Sequence, residues 1–187
     1  RAPRVRGDME SAGNVSALEQ DRTQVRGGMK AVIFMAVLFG VLLLDISTKL
    51  LVQRHFFLYQ QMDIIGEYVR LTYIYNPGAA FGIHLGEHSR FIFLVLSLVA
   101  LGALVGMYWF TPLADRVRLI AISLICGGAV GNLIDRVRSE NGVVDFIDVG
   151  VGTIRWPVFN VADVAVTTGA IILALSLWKE EQRVEQP

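Results

Sequence analysis

The chain has 187 residues, 53% of them hydrophobic and 18% charged, with a mean hydropathy of +0.51; such a balance excludes an ordinary water-soluble domain. Basic and acidic residues number 17 each, for a formal net charge of zero, so no global field recruits nucleic acid. The single cysteine, Cys126, excludes an intrachain disulfide and cannot by itself build a structural zinc site; its apolar neighbours make it a packing residue.

Residues 1–28 are polar, contain glycine and lack periodicity, which predicts a disordered tail. They do not read as a cleaved secretory signal, because the apolar stretch that follows continues into charged residues and not into a small-residue cleavage site. Four segments, at about 31–52, 91–110, 117–136 and 161–178, are long enough to cross a hydrocarbon core of about 30 Å, which takes roughly 20 helical residues. The expected organisation is a membrane domain over 29–178 and a short cytoplasmic tail over 179–187. The fold class is an all-α membrane protein with four transmembrane helices and a small extracytoplasmic β-cradle.

The second helix is apolar throughout, whereas the others carry polar residues at one end: Asp45, Ser47, Thr48 and Lys49 late in the first, Asn132, Asp135 and Arg136 late in the third, Asn160 and Asp163 at the start of the fourth. Arg22, Arg26 and Lys30 before the first helix, Arg116 and Arg118 between the second and third, and Lys179 and Arg183 after the fourth place both termini in the cytoplasm by the positive-inside tendency. The polar ends then meet at the outer face.

Two segments lie between helices on that side. In 53–90, Val69, Leu71, Tyr73 and Tyr75 alternate with Tyr68, Arg70, Thr72 and Ile74, a period of two that predicts short strands, and Asn76-Pro77-Gly78-Ala79-Ala80-Phe81-Gly82 reads as a turn. Aromatic residues such as Phe56, Phe57, Tyr59 and Tyr68 suit a membrane interface. In 137–159, the run from Val143 to Val149 is strand-like and Trp156-Pro157 ends it before the fourth helix. Gly102 with Gly106, and Gly127 with Gly131, recur at a spacing that allows close helix approach.

Ionisable groups inside membrane helices cost about 2.5 to 3.5 kcal/mol each on insertion scales, so their presence calls for a pairing or functional reason. Asp45 and Lys49 stand four apart with the acid first, the favourable order for an ion pair, and Asp135 beside Arg136 invites the same reading. With Asn160 as N-cap, Asp163 is the third residue of the fourth helix, where free N–H groups and the helix dipole favour negative charge. Asp145 sits among Val143, Val144, Phe146 and Ile147, where desolvation raises a carboxyl pKa. Two carboxyls pushed apart in this way can share one proton and activate water. The residues alone do not choose between Asp145 and Asp148.

Taken in order, Asp45-Ile46-Ser47-Thr48-Lys49, the Asn76 to Gly82 turn, Gly131-Asn132-Leu133-Ile134-Asp135-Arg136, Val143-Val144-Asp145-Phe146-Ile147 and Phe159-Asn160-Val161-Ala162-Asp163 resemble the motifs of the bacterial lipoprotein signal peptidases over about 29–178. The resemblance implies an aspartic endopeptidase of the bacterial inner membrane, acting as a monomer without cofactor or metal. Its partners would be membrane lipids and diacylglyceryl-modified prolipoproteins, cut just before the lipidated cysteine. It further implies catalytic roles for Asp145 and Asp163, substrate-side roles for Asn76, Gly128, Asn132, Arg136 and Asn160, and supporting roles for Asp45, Lys49 and Asp135. Ile46 departs from the family pattern, which usually has glutamine there, and residues 1–28 have no counterpart in it.

Other chemistries fit less well. His84-Leu85-Gly86-Glu87-His88 matches an inverted zinc-peptidase motif, but Gly86 interrupts the required helix and no third ligand is evident. Ser47 and Lys49, two apart on a helix, diverge. A proton or ion pathway would need polar groups through the helix centres and the repeats typical of transporters; a passive scaffold has no use for gathered asparagines and aspartates.

Overall fold

The computed structural model describes residues 5–78 and 88–185. Four helices in it are long and apolar enough to cross a membrane: Gly27–His55 within α1 (Val5–His55), α2 (Ser89–Phe110), α3 (Arg116–Arg138), and Val161–Gln182 within α4 (Val161–Glu185). Each runs a few residues past the span expected from hydropathy, because helix caps and polar end turns carry no hydropathy signal.

At the N-terminal side the difference is larger. The backbone is helical from Val5, where a disordered tail was expected. Ala, Glu, Leu, Gln, Met and Arg, all good helix formers, recur through this stretch, and no proline lies between Pro3 and Pro77 to stop the helix.

Helix α3 is the hub, packing against α4, α1 and α2. Leu104, Ile122 and Cys126 form a buried apolar cluster there, with Phe34, Leu38 and Leu173 against it. Small residues permit the closest crossings. A Cβ on Gly127 would meet Val41 at 2.9 Å, and one on Gly128 would collide with the carbonyl oxygen of Ala162. Gly102 and Gly106, expected to serve the same purpose, face open space. Leu43, Val99, Phe91 and Ile171 point outward from the bundle, as befits helices whose solvent is lipid.

At one end of the bundle lies an antiparallel sheet, β1 (Gln61–Ile65), β2 (Val69–Asn76), β3 (Val143–Val151) and β4 (Ile154–Arg155), in that spatial order. Val52, Tyr73, Val144 and Phe146 form its core, so the last turns of α1 carry the sheet. The alternation from Tyr68 to Tyr75 is not unbroken. Leu71 stands opposite Ile147 but Ile74 opposite Asp145, so Thr72 and Tyr73 share the position facing Phe146 in a β-bulge. Both are buried, which a strict period of two does not allow. Strand β1, wholly exposed, gave no buried pattern from which it could have been expected.

The chain reaches the sheet from α3 through a turn closed by Gly142, whose φ of +100° and near contact with the Asn76 and Pro77 backbone leave no room for a side chain. It then doubles back, so that Phe159 pairs with Ile147 just before α4 begins. These two returns bring Asp145 and Asn160 side by side.

Candidate active site

Asn160 and Asp163 cap α4 reciprocally. The Asp163 N–H donates to Asn160 Oδ1 and the Asn160 N–H donates to Asp163 Oδ2, both at 3.0 Å. This is a capping box with aspartate in the place of glutamate. The Asn160 amide is fully buried, and its Nδ2 donates to Asp145 Oδ1 at 2.7 Å, Asn132 Oδ1 at 3.0 Å and the Val144 carbonyl at 3.3 Å. Asn132 Nδ2 in turn donates to Asp163 Oδ1 at 2.8 Å. Two asparagines thus tie the two carboxylates together.

Asp145 is 1% exposed and receives Asn76 Nδ2 on its second oxygen at 2.9 Å. Burial, and next the charge of Asp163, push its carboxyl up to about 7; the hydrogen bonds from Asn76 and Asn160 and the charge of Lys49 oppose the rise without cancelling it. Asp163 is only half-buried. One carboxyl is therefore enclosed and inclined to hold a proton at neutrality, and the other lies at the accessible edge.

Behind the pair, Lys49 is 3% exposed and contacts Asp45 Oδ2 at 2.7 Å, Asp135 Oδ2 at 2.8 Å and Asn132 Oδ1 at 3.1 Å. The ion pair of Asp45 with Lys49 forms as expected. Asp135 does not pair with Arg136: neighbours on a helix point about 100° apart, and Asp135 turns inward to Lys49 and the Val144 N–H, 3.3 Å away. Lys49 is accordingly engaged with carboxylates and an amide, while Ser47 is exposed, an arrangement unlike a serine–lysine catalytic pair.

Arg136 lies over the Phe93 ring, 5.8 Å from its centroid, with Nη1 on the Asn132 carbonyl at 3.3 Å and Nε buried without a hydrogen-bond partner. Gly128 lies deeper, at the α3–α4 crossing, where its lack of a side chain lets Ala162 approach. Asn76 ends β2; residues 79–82 of the turn that follows, and His84 and Glu87 of the zinc-like motif, lie outside the described residues.

The geometry separates Asp148 from Asp145. Asp148 lies three residues along β3 and is clasped by Arg155, Arg70 and Thr72. Burial alone would raise its carboxyl, but hydrogen bonds from Arg155 and Thr72 and the charges of Arg155 and Arg70 outweigh that and hold it below the usual carboxylate range. Among the partners that sequence reasoning missed are backbone groups, the Ala162 N–H and the Val144 carbonyl, which no side-chain motif announces. Arg70 and Arg155 could have been suspected as opposite charges on neighbouring strands.

Comparison with known proteins places this geometry in context. Residues 37–179 match the family model described as signal peptidase (SPase) II. A lipoprotein signal peptidase of Syntrophus aciditrophicus is 36% identical over 81% of this chain and 95% of its own length, and one of Geobacter sulfurreducens is 44% identical over 81% and 94%. A solved structure described as a bacterial membrane enzyme superposes with a TM-score of 0.71 at 30% identity, covering 86% of this chain and 93% of that one.

Proposed function

This chain belongs to the signal peptidase II family, a multi-pass membrane peptidase of lipoprotein maturation, and on that premise we propose that Asp145 and Asp163 are its catalytic pair. The observation that carries the proposal is the bridge of Asn160 and Asn132 between one enclosed and one accessible carboxyl. Asp145 holds the proton of the pair at rest. As water attacks the scissile carbonyl carbon, Asp163 takes a proton from it and Asp145 gives its proton to the carbonyl oxygen. When the tetrahedral intermediate collapses and the C–N bond breaks, Asp163 protonates the leaving amine and Asp145 recovers a proton from the hydroxyl. No covalent intermediate forms.

The substrate is a prolipoprotein whose cysteine already carries a diacylglyceryl thioether, cut just before that cysteine. Its signal helix enters from the bilayer, with the acyl chains kept in hydrocarbon. Asn76, Asn132, Arg136 and Asn160 line the substrate side, Gly128 lets α3 and α4 close behind it, and Asp45, Lys49 and Asp135 support the pair. The protein sits in the bacterial inner membrane as a monomer, with both termini cytoplasmic, the site towards the extracytoplasmic face, and residues 29–178 as the peptidase domain.

The substrate class is tested by offering the reconstituted chain a diacylglyceryl-modified prolipoprotein beside its unlipidated precursor. Cleavage of the lipidated form alone, immediately before the cysteine, is expected. Equal cleavage of both would remove the lipid from the recognition.

A further inference from the structure

The first turns of α2 meet Arg136 twice. Arg90 Nε donates to the Arg136 carbonyl at 2.7 Å, which ties the start of α2 to the last turn of α3, where helix carbonyls lack intrahelical partners. Phe93 follows three residues later, one turn along the same side of α2. Its ring centroid lies 5.8 Å from the guanidinium carbon of Arg136, within the range of a cation–π contact. The ring also lies against Gly78 of the turn after Asn76, where an added Cβ would come within 2.8 Å of it.

An arginine side chain is long and loses much rotamer freedom when fixed, so its placement needs a physical cause. Ion pairing does not supply one among the described residues. Asp163, Asp145 and Asp135 all act on the guanidinium by their charge, but Asp135 is turned to Lys49 and the Val144 N–H, Asp145 receives Asn76 and Asn160, and Asp163 receives Asn132 and the Asn160 N–H. Two contacts hold the guanidinium instead: the Phe93 ring, and a hydrogen bond from Nη1 to the Asn132 carbonyl that at 3.3 Å is longer than the usual N–H···O distance of about 2.9–3.0 Å. The Arg136 Nε is buried and has no acceptor. A donor left in that state is satisfied when a bound chain brings an acceptor to it, as a peptide carbonyl does.

We infer that Phe93 is a positioning residue for the peptidase reaction, its ring face holding the Arg136 guanidinium ready for the substrate, a role that rests on the substrate-side placement of Arg136. Helix α2, apolar throughout its span, thus serves the site through an aromatic face and not through a polar group of its own. The requirement is for the ring and not for apolar volume: leucine fills space in a helix but has no negative π face to attract a cation, whereas tyrosine keeps that face. Freed from the ring, Arg136 spreads over several rotamers, and the substrate must order it again on binding. A contact made to bound substrate away from the reacting carbonyl is the same before and during the reaction, so its weakening raises KM and leaves kcat in place.

The test compares Phe93→Leu, Phe93→Tyr, Arg136→Met and the Phe93→Leu/Arg136→Met double variant of the full chain in lipid, measuring kcat and KM for a diacylglyceryl-modified prolipoprotein. Phe93→Leu should raise KM about fivefold, the worth of one half-buried cation–π contact, with kcat within about twofold of wild type. Phe93→Tyr should keep the wild-type KM, and Phe93→Leu should add nothing in the Arg136→Met background. Phe93→Met carries the expectations of the leucine variant should that variant not fold. A merely structural role gives a different pattern, since loss of folded protein lowers kcat at unchanged KM. That pattern, a wild-type KM for the ring-free variant, a tyrosine variant as impaired as it, or effects that multiply in the double variant would overturn the inference; multiplying effects would place the action of the ring on the Gly78 turn. Arg136→Met separates the two layers of the reading: if its KM is that of wild type, the substrate-side placement of Arg136 fails, whereas if its KM rises and the Phe93 variants behave as wild type, the positioning role alone fails.

Discussion

Asp45 and Ala162 lie 117 positions apart in the sequence, yet the Asp45 carboxylate accepts the backbone N–H of Ala162 at 3.0 Å. A residue of α1 therefore satisfies one of the free N–H groups in the first turn of α4, the turn that carries Asp163. Its other oxygen meets Lys49, which also holds Asp135 and Asn132. The buried ammonium of Lys49 fastens α1 to α3 behind the carboxyl pair, and the Asp45 carboxylate extends the link to α4.

Lys49→Met should accordingly cost about 3–5 kcal/mol of stability, because it leaves Asp45 and Asp135 inside the bundle without their cation. Adding Asp45→Asn and Asp135→Asn to that variant should recover most of the loss while activity stays low, since Asn132 is no longer held towards Asp163. Denaturant unfolding in detergent, followed by tryptophan fluorescence, checks the first part; a cleavage assay checks the second. A Lys49→Met variant as stable as wild type would contradict the account.

The raised carboxyl of Asp145 gives a pH dependence of definite sign. Activity that needs its proton should fall as pH rises through about 7. Replacing Asp163 by Asn removes the second-largest cause of the rise, so the carboxyl infrared band of Asp145 should titrate at lower pH in that variant, still above the ordinary value because burial remains. For stability, Asp145 binds its proton more tightly folded than unfolded. Its contribution is complete below the unfolded value of 3.8 and is lost as pH rises towards about 7. Asp148, held low, behaves oppositely: its contribution is present above 3.8 and is lost as pH falls through its folded value.

Glycine positions divide by what surrounds them. Gly128→Ala would drive a methyl group into the Ala162 carbonyl oxygen and Val166, and should cost about 1–3 kcal/mol together with activity, since α4 carries Asp163. Gly102→Ala meets nothing within 4 Å and should leave stability unchanged or slightly raised. Thermal unfolding of the two variants in the same detergent separates these outcomes.

Much of this was legible from residue types alone. Apolar runs of the right length gave the four spans, and polar residues at three helix ends gave the convergence of Asp45, Asn132 and Asp163. The cap formed by Asn160 and Asp163 is local in sequence and could be read directly. Long-range pairings could not. Nothing in the order of residues says that Lys49 prefers Asp135, 86 positions away, to a surface role, or that Asp148 is neutralised by Arg70 and Arg155 while Asp145 is not. Strand register was hidden for the same reason. One extra residue between Leu71 and Ile74 breaks an alternation that looks continuous on paper, and the strand β1, exposed along its whole length, has no apolar face to betray it.

The assignment of Asp145 and Asp163 as the reacting pair is tested most directly by reconstituting wild type, Asp145→Asn and Asp163→Asn in lipid and following cleavage of a diacylglyceryl-modified prolipoprotein. Each single variant should lose at least about 10²-fold in kcat while remaining folded, because each carboxyl has its own part in moving protons. Retention of near wild-type cleavage by either variant would place the chemistry on other residues.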